Sequence, residues 1–311
     1  MKRGDQGDLE WSTDHHWQKG PDMTRPSAPE TVVLLVHGAW HSALHWAATQ
    51  RALARHGLAT IAIDLPGAGF GAPHPTGYFR TGQPGLASEK SALSEITMDH
   101  LTDVVLDALV AARTRYRNVV LVAHSAGGAP ASVAAERAPE LLDHLVYLSS
   151  FVPAGRPRFS DYIDAEENAG AVQVPPLGDP AELGAFRINP LSPDQADIDL
   201  IRRAFLNDLP PAASDSWRQF LHPDHPFSSF TTPVPLSPER WGRIARTFIR
   251  LTDDLALPLV TQDLMISEAD RLTPDLPFQV RSLRGGHSPF ATRPEELATL
   301  LATVSLQRPV R

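Results

Sequence analysis

The strongest constraint on the fold is a serine at the end of an apolar run. Residues 118–128 read NVVLVAHSAGG, so a β-branched run stops at Ser125 and two glycines open an alanine-rich helical segment. A serine on a tight strand-to-helix turn needs small neighbours two residues away on either side, because the backbone there is strained. Gly127 and Ala123 meet that need, although Ala123 stands where a glycine is usual. The pattern predicts a nucleophilic serine, with a simple helix N-cap as the alternative.

A second buried strand is predicted upstream, and a His-Gly pair follows it directly. Residues 31–36 read TVVLLV and run into HGAW at 37–40. A loop in this place, together with the residue after the serine, can direct backbone N–H groups at a negatively charged oxygen. We therefore predict that the amides of Ala39 and Ala126 form an oxyanion hole. His37 is expected to be a hydrogen-bonded loop residue.

A histidine and two candidate acids follow in the chain order that a serine nucleophile requires. His287 lies on a glycine-rich loop after a predicted strand at 278–283, and Asp253 and Asp254 directly follow a predicted strand at 246–252. We predict that His287 is the general base and that Asp254 orients it. Asp253, which could instead cap the turn or face solvent, is the alternative acid.

These motifs resemble those of the α/β-hydrolase superfamily, in particular the esterase group that includes plant methyl esterases and hydroxynitrile lyases. The matching segments are VHGAWH at 36–41, IDLPG at 63–67, AHSAGG at 123–128, TDDLALP at 252–258 and GHSP at 286–289. The resemblance covers roughly residues 30–150 and 245–308 and implies the same roles for Ser125, His287 and Asp254. Hydroxynitrile lyases of this group carry a lysine at the position of Ser288, which counts against cyanohydrin chemistry.

The expected architecture is an α/β-hydrolase fold, a mostly parallel twisted sheet flanked by helices with an inserted cap. We predict a polar N-terminal tail at 1–29, a core at 30–152 and 245–311, and a cap at 153–244. The cap segment is rich in proline and aromatic residues and shows no sheet-like runs. The resemblance implies that aromatic side chains of the cap line an apolar substrate pocket. We expect two or three of them to face the pocket and most of the others to form the cap's own small core. The predicted substrate-binding residues are Trp40, His124, Trp217 and Phe230.

Composition narrows the classes of partner and cofactor. Lys+Arg 28 against Asp+Glu 36 gives a net charge of −8, which disfavours nucleic acid and acidic membranes. The chain has no cysteine, and the 13 histidines include no HExxH pattern, so we expect no metal and no other cofactor. Residues 1–29 lack an apolar signal-peptide region, and no run reaches transmembrane length. A cytoplasmic location is therefore expected.

The predicted function is hydrolysis of a carboxylic ester of a medium-sized apolar small molecule through an acyl-enzyme, with a Ser-His-Asp triad. Two alternatives stay open. The same triad serves thioesterases and carbon–carbon bond hydrolases, and a ligand receptor can keep the fold and the pocket with little turnover. The sequence does not predict the individual substrate or the oligomeric state.

Overall fold

The computed structural model describes residues 30–210 and 212–306, so the prediction of a polar tail at 1–29 concerns residues outside the described part. The main sheet has six strands in the order β2-β1-β3-β4-β7-β8, and each pairing in it is parallel. A small second sheet pairs β5 with β6. In chain order the strands are β1 Thr31–Val36, β2 Ala59–Ile63, β3 Asn118–Ser125, β4 His144–Ser150, β5 Ala185–Arg187, β6 Asp224–Pro226, β7 Ala245–Leu251 and β8 Gln279–Leu283.

Helices cover both faces of the main sheet. The α-helices are α1 Ala47–Arg55, α2 Met98–Arg113, α3 Gly128–Arg137, α4 Phe159–Ile163, α5 Pro180–Leu183, α6 Gln195–Phe205, α7 Ser228–Thr231, α8 Leu259–Leu272, α9 Pro289–Thr292 and α10 Pro294–Leu306. Short 3₁₀ turns lie at Ala43–Trp46, Pro139–Leu141, Glu166–Asn168, Asp215–Phe220 and Trp241–Arg243.

The alternation of side chains along β1 explains why this strand reads as an unbroken apolar run. Val32 and Leu34 belong to a core cluster that includes α2, α3 and α8, whereas Val33 and Leu35 face a second cluster with α1 and α10. Successive residues of a strand point to opposite faces, so a strand covered on both faces must be apolar throughout. The predicted strands at 31–36 and 118–125 are confirmed by this packing.

Two helix starts are fixed by the side chains that precede them. The Thr97 hydroxyl accepts a hydrogen bond from the His100 backbone N–H at the start of α2, and the Asp194 carboxylate accepts one from Ala196 at the start of α6. Such N-caps satisfy amide groups that have no partner within the helix. The helical segment after β1 is divided, because Ala43–Trp46 form a 3₁₀ turn and α1 begins at Ala47.

The segment predicted as the cap lies between β4 and β7, and its strands were missed by the sequence prediction. Strands β5 and β6 are three residues long each and pair antiparallel. They carry a buried ion pair instead of an apolar run, which is why no strand pattern was visible. The Arg187 guanidinium donates to both carboxylate oxygens of Asp224, at 2.6 and 2.7 Å, and to the carbonyls of Leu86 and Glu89. Arg187 thereby links the long loop between β2 and α2 to the cap segment.

Candidate active site

Ser125 is the last residue of β3 and has a backbone φ of 50°, a strained conformation for a residue with a side chain. Its surroundings require small residues. A Cβ atom on Gly38 would lie 2.6 Å from the Ser125 Cβ, and one on Gly127 would lie 2.5 Å from the His37 carbonyl oxygen. Ala123 is fully buried in the core beneath the turn, so its methyl group fits where a glycine is usual. The turn thus combines a strained serine with close backbone approach.

The structure brings Ser125, His287 and Asp254 together. The Ser125 Oγ lies 3.0 Å from the His287 Nε2, and the His287 Nδ1 lies 2.7 Å from the Asp254 Oδ2. A carboxylate only accepts hydrogen bonds, so the proton of the neutral imidazole belongs on Nδ1 and Nε2 is free to accept from the serine hydroxyl. The three side chains are nearly buried, with 9%, 4% and 4% of their surface exposed.

The carboxylate of Asp254 is held by four donors. Its Oδ1 accepts from the backbone N–H groups of Ala256 and Leu257 at 2.8 and 2.9 Å, and its Oδ2 accepts from Ser149 Oγ at 2.6 Å as well as from the histidine. Ser149 lies near the end of β4 with a φ of 36°. No sequence motif singles out this serine.

Asp253, the alternative acid, lies away from the histidine. Its side chain is exposed and its Oδ2 is 3.3 Å from the Arg284 Nε. The hydrogen bond to the imidazole therefore belongs to Asp254. The two adjacent aspartates face opposite surroundings because the chain turns sharply after β7.

Backbone amides near the serine lack acceptors within the protein. The buried Ala39 and Ala126 pack together in a small cluster with Phe230. Within residues 30–210 and 212–306, neither of the two alanine N–H groups is hydrogen-bonded. Buried amides without a partner are rare, since each costs free energy comparable to a lost hydrogen bond. These two amides are available to a ligand oxygen.

An apolar cavity of about 80 Å³ opens beside Ser125 and His287. Trp40 and Phe230, both predicted as substrate-binding residues, line it, and Trp40 is held in place because its Nε1 donates to the Phe186 carbonyl at 2.9 Å. Three aromatic side chains of the segment predicted as the cap, Phe159, Phe205 and Phe230, are in the lining. The cap residues in the lining are Phe159, Ile163, Asn168, Val172, Gln173, Val174, Phe205 and Phe230.

The other two predicted substrate-binding residues do not line this cavity. His124 is fully buried, and its Nε2 donates to the His287 carbonyl oxygen at 2.8 Å, since side chains alternate along β3 and that of His124 points away from the side of Ser125. Burial, with the neighbouring His287, lowers the pKa of His124 well below 6.5. Trp217 packs in a cluster of cap side chains and lines a different cavity.

His37 has the structural role expected of it. Its Nδ1 donates to the Gly38 carbonyl at 2.8 Å, and its Nε2 accepts from the Leu65 backbone N–H at 3.0 Å. The residue thus joins the loop after β1 to the loop after β2. In the part of the chain that the structure describes, no cluster of three or more histidine and acidic side chains could bind a metal ion, and no helix is long and apolar enough to cross a membrane.

His225 makes the fold sensitive to acid. It lies beside Trp40, with ring centroids 6.2 Å apart, and none of the described residues forms a hydrogen bond with its Nε2. Burial lowers its pKa from 6.5 to about 3. The unfolded chain therefore binds a proton at this histidine below pH 6.5 while the folded chain does not. Between pH 7 and pH 5 this residue should cost about 2 kcal/mol of unfolding free energy.

Urea unfolding of the wild type and of His225→Leu at the two pH values tests this expectation. The loss of stability on acidification should be smaller in the variant by that amount. His56→Leu is the matched control, because His56 is exposed and hydrated in both states. If His225→Leu and the wild type lose the same unfolding free energy between pH 7 and pH 5, His225 is not the source of the acid sensitivity.

The fold and the arrangement of its serine, histidine and aspartate define a class of hydrolytic enzyme. A family model described as the alpha/beta hydrolase family matches residues 33–300, and the chain belongs to that family. The predicted α/β-hydrolase fold, with its parallel sheet between helices, is thereby confirmed. The prediction of an enzyme of the carboxylic ester hydrolase class is confirmed as well.

The relatives agree with this family. The chain is 28% identical over 273 residues to a pyrethroid hydrolase of Sphingobium wenxiniae, covering 88% of this chain and 86% of the relative. It is 24% identical over 273 residues to methylesterase 1 of Arabidopsis thaliana, covering 85% of this chain and 92% of the relative. Two chloroplastic Arabidopsis relatives are longer, and the chain spans 56% and 55% of their length. The predicted resemblance to plant methyl esterases is confirmed.

A solved structure shows the same fold. The crystal structure of a pyrethroid hydrolase from Sphingobium faniae superposes with a TM-score of 0.64 at 26% sequence identity, covering 88% of this chain and 97% of that one. This relative therefore shares the overall fold of the chain.

Proposed function

We propose that this protein hydrolyses carboxylic esters of apolar small molecules through an acyl-enzyme formed on Ser125. One observation carries the proposal. The continuous hydrogen-bonded series from Ser125 Oγ to His287 Nε2, and from His287 Nδ1 to Asp254 Oδ2, ends at an apolar cavity. A serine hydroxyl is a weak nucleophile unless a positioned base accepts its proton, and this geometry supplies such a base.

Acylation begins when the ester carbonyl carbon reaches Ser125 Oγ. His287 Nε2 accepts the hydroxyl proton as the oxygen attacks, and Asp254 stabilises the imidazolium that forms. The carbonyl oxygen becomes an anion, which the N–H groups of Ala39 and Ala126 bind. Each such donor contributes about 3 kcal/mol of transition-state stabilisation. The tetrahedral intermediate then collapses, and the alcohol leaves with the proton from His287.

Deacylation repeats these steps with water. His287 removes a proton from a water molecule, the hydroxide attacks the acyl carbon, and the same two amides of Ala39 and Ala126 hold the oxyanion. Collapse of the second intermediate breaks the bond to Ser125 Oγ, which takes the proton back from His287 as the carboxylic acid leaves. The two half-reactions use only groups of the protein and water.

The cavity and the relatives support an apolar substrate. The lining of the cavity at Ser125 consists mainly of aromatic and aliphatic side chains, with amide groups from Asn168 and Gln173. Relatives named pyrethroid hydrolase and methylesterase cleave carboxylic esters. The volume of 80 Å³ is below the ~300–1,000 Å³ typical of small-molecule sites, so a medium-sized substrate requires movement of cap side chains such as Phe205 or Phe230. The cytoplasmic location stays a prediction.

A pair of esters of equal length tests the substrate class. The p-nitrophenyl ester of butyric acid should be hydrolysed with a kcat/KM about 100-fold or more above that of the p-nitrophenyl monoester of succinic acid, because a carboxylate without a partner is costly to bury. The described residues that line the cavity include no lysine or arginine to pair with it. Release of p-nitrophenol is the measurement. Equal rates for both esters, or hydrolysis of neither, would contradict the proposal.

A further inference from the structure

A second cavity, which we call the side crevice, lies beyond a wall that includes His287. It has a volume of about 300 Å³, and none of the described residues lines both it and the cavity at Ser125. Three pairs of chain neighbours divide between the two cavities, with one member on each side. The pairs are Trp40 and His41, Phe205 and Leu206, and His287 and Ser288. The two cavities are therefore adjacent and have separate linings.

The walls of the side crevice are apolar and partly exposed. Leu44 on the core side and Phe220 on the cap side expose 59% and 48% of their surface, and the half-buried Trp217 lies in the same lining. Together they form an exposed apolar patch of the kind that marks a binding groove. A ligand with an apolar body would remove these surfaces from water.

The rim of the side crevice carries a cation without a partner. Arg51 lines it from α1, and no acidic side chain among the described residues lines the crevice or forms an ion pair with this guanidinium. Arg55, one turn later on the same helix, does form an ion pair, with Glu295. In a protein with a net charge of −8, this local excess of positive charge selects an anion.

The neighbouring His45 also favours a ligand that carries a hydrogen-bond acceptor. The Ser42 backbone N–H donates to the His45 Nδ1 at 3.0 Å, which favours the neutral tautomer with its proton on Nε2 over the one in which Nδ1 donates to the Ser42 carbonyl at 3.3 Å. Burial lowers the pKa of His45 to about 4, and the ring is therefore neutral at pH 7. His45 lines the side crevice, where its remaining N–H can donate to an oxygen.

We propose that the side crevice is a binding site for an amphipathic carboxylate, with the alkyl or aryl body between Leu44 and Phe220 and the carboxylate at Arg51. The volume of 300 Å³ fits one such molecule of medium length. The proposal is separate from ester hydrolysis and does not depend on it. The site is built jointly by the core and the cap segment.

Calorimetric titration of the full chain with octanoate tests the proposal, and the Ser125→Ala variant is used so that no turnover contributes. Octanoate should bind, and octanamide, which keeps the body and lacks the charge, should bind at least about tenfold more weakly. Arg51→Gln should weaken octanoate binding by about tenfold, the change expected for the loss of one charge-assisted hydrogen bond. Ala48→Trp, which fills the crevice, should abolish binding.

Two control variants locate the ligand. Arg115→Gln removes an exposed arginine elsewhere, two residues beyond α2, and should leave the affinity unchanged. Val174→Trp fills the cavity at Ser125 and should also leave it unchanged. The proposal is overturned if octanoate does not bind, or if Arg51→Gln binds it as tightly as the parent does. Binding that is lost in Val174→Trp and kept in Arg51→Gln would assign octanoate to the cavity at Ser125 and would equally overturn it.

Discussion

Replacing Ser125 with alanine is expected to lower kcat for ester hydrolysis by about 10⁶-fold, the effect seen when a serine nucleophile is removed from a triad. The reason is geometric. The Ser125 Oγ is the hydroxyl at 3.0 Å from the His287 Nε2, and alanine leaves the base without a nucleophile to activate. Steady-state hydrolysis of p-nitrophenyl butyrate measures the loss. Residual catalysis would come from substrate binding and the oxyanion-hole amides.

Ser132→Ala is the matched control for this variant. Ser132 is also a fully buried serine, and its hydroxyl makes a hydrogen bond of 2.6 Å, with the Tyr147 hydroxyl. Its replacement should cost about 1 kcal/mol of unfolding free energy and leave kcat unchanged. If Ser125→Ala folds as the wild type does and still hydrolyses the ester at a comparable rate, Ser125 is not the nucleophile.

Replacing Asp254 with asparagine is expected to lower kcat by about 10⁴-fold while the fold is kept. An asparagine has nearly the same shape, but its NH₂ group cannot accept from the His287 Nδ1–H. Either the amide oxygen faces the histidine without stabilising the imidazolium, or the NH₂ group faces it and favours the wrong tautomer. The hydrogen bond from Ser149 to the Oδ2 position is disturbed in the second case.

Asp253→Asn provides the control from the adjacent residue. The Asp253 carboxylate is exposed and near Arg284, so the same chemical change there should leave kcat within about twofold, in line with the small effects of surface ion pairs. Circular dichroism and thermal unfolding establish that both variants are folded. A large loss of kcat in Asp253→Asn together with a small one in Asp254→Asn would reverse the assignment of the acid.

The sheet and the relative positions of the three catalytic candidates could be predicted from sequence. Parallel strands buried on both faces are apolar throughout, so β1 and β3 stand out as the runs that stop at His37 and Ser125. The carboxyl ends of parallel strands meet at one edge of the sheet. Residues that follow β3, β7 and β8 are therefore expected together, and the choice of Asp254 over Asp253 agrees with the hydrogen bond to His287.

The remaining site features depend on contacts that no local pattern encodes. Ser149 reaches Asp254 across 105 residues of chain, and its role follows from the pairing of β4 with β7. His124 is predicted to bind substrate, yet strand alternation turns its side chain towards the His287 carbonyl. Trp217 was selected as a cap aromatic, but the cap's own packing places it in the lining of the side crevice.

The measurement that tests the account most directly is intact-mass labelling with a fluorophosphonate probe, which reacts with serine only when a base has activated it. The wild type and Ser125→Ala are treated in parallel, with circular dichroism to establish that both are folded. We expect one label per wild-type chain and none on the variant. Absence of label on folded wild-type protein, or equal labelling of Ser125→Ala, would contradict the claim that Ser125 is an activated nucleophile.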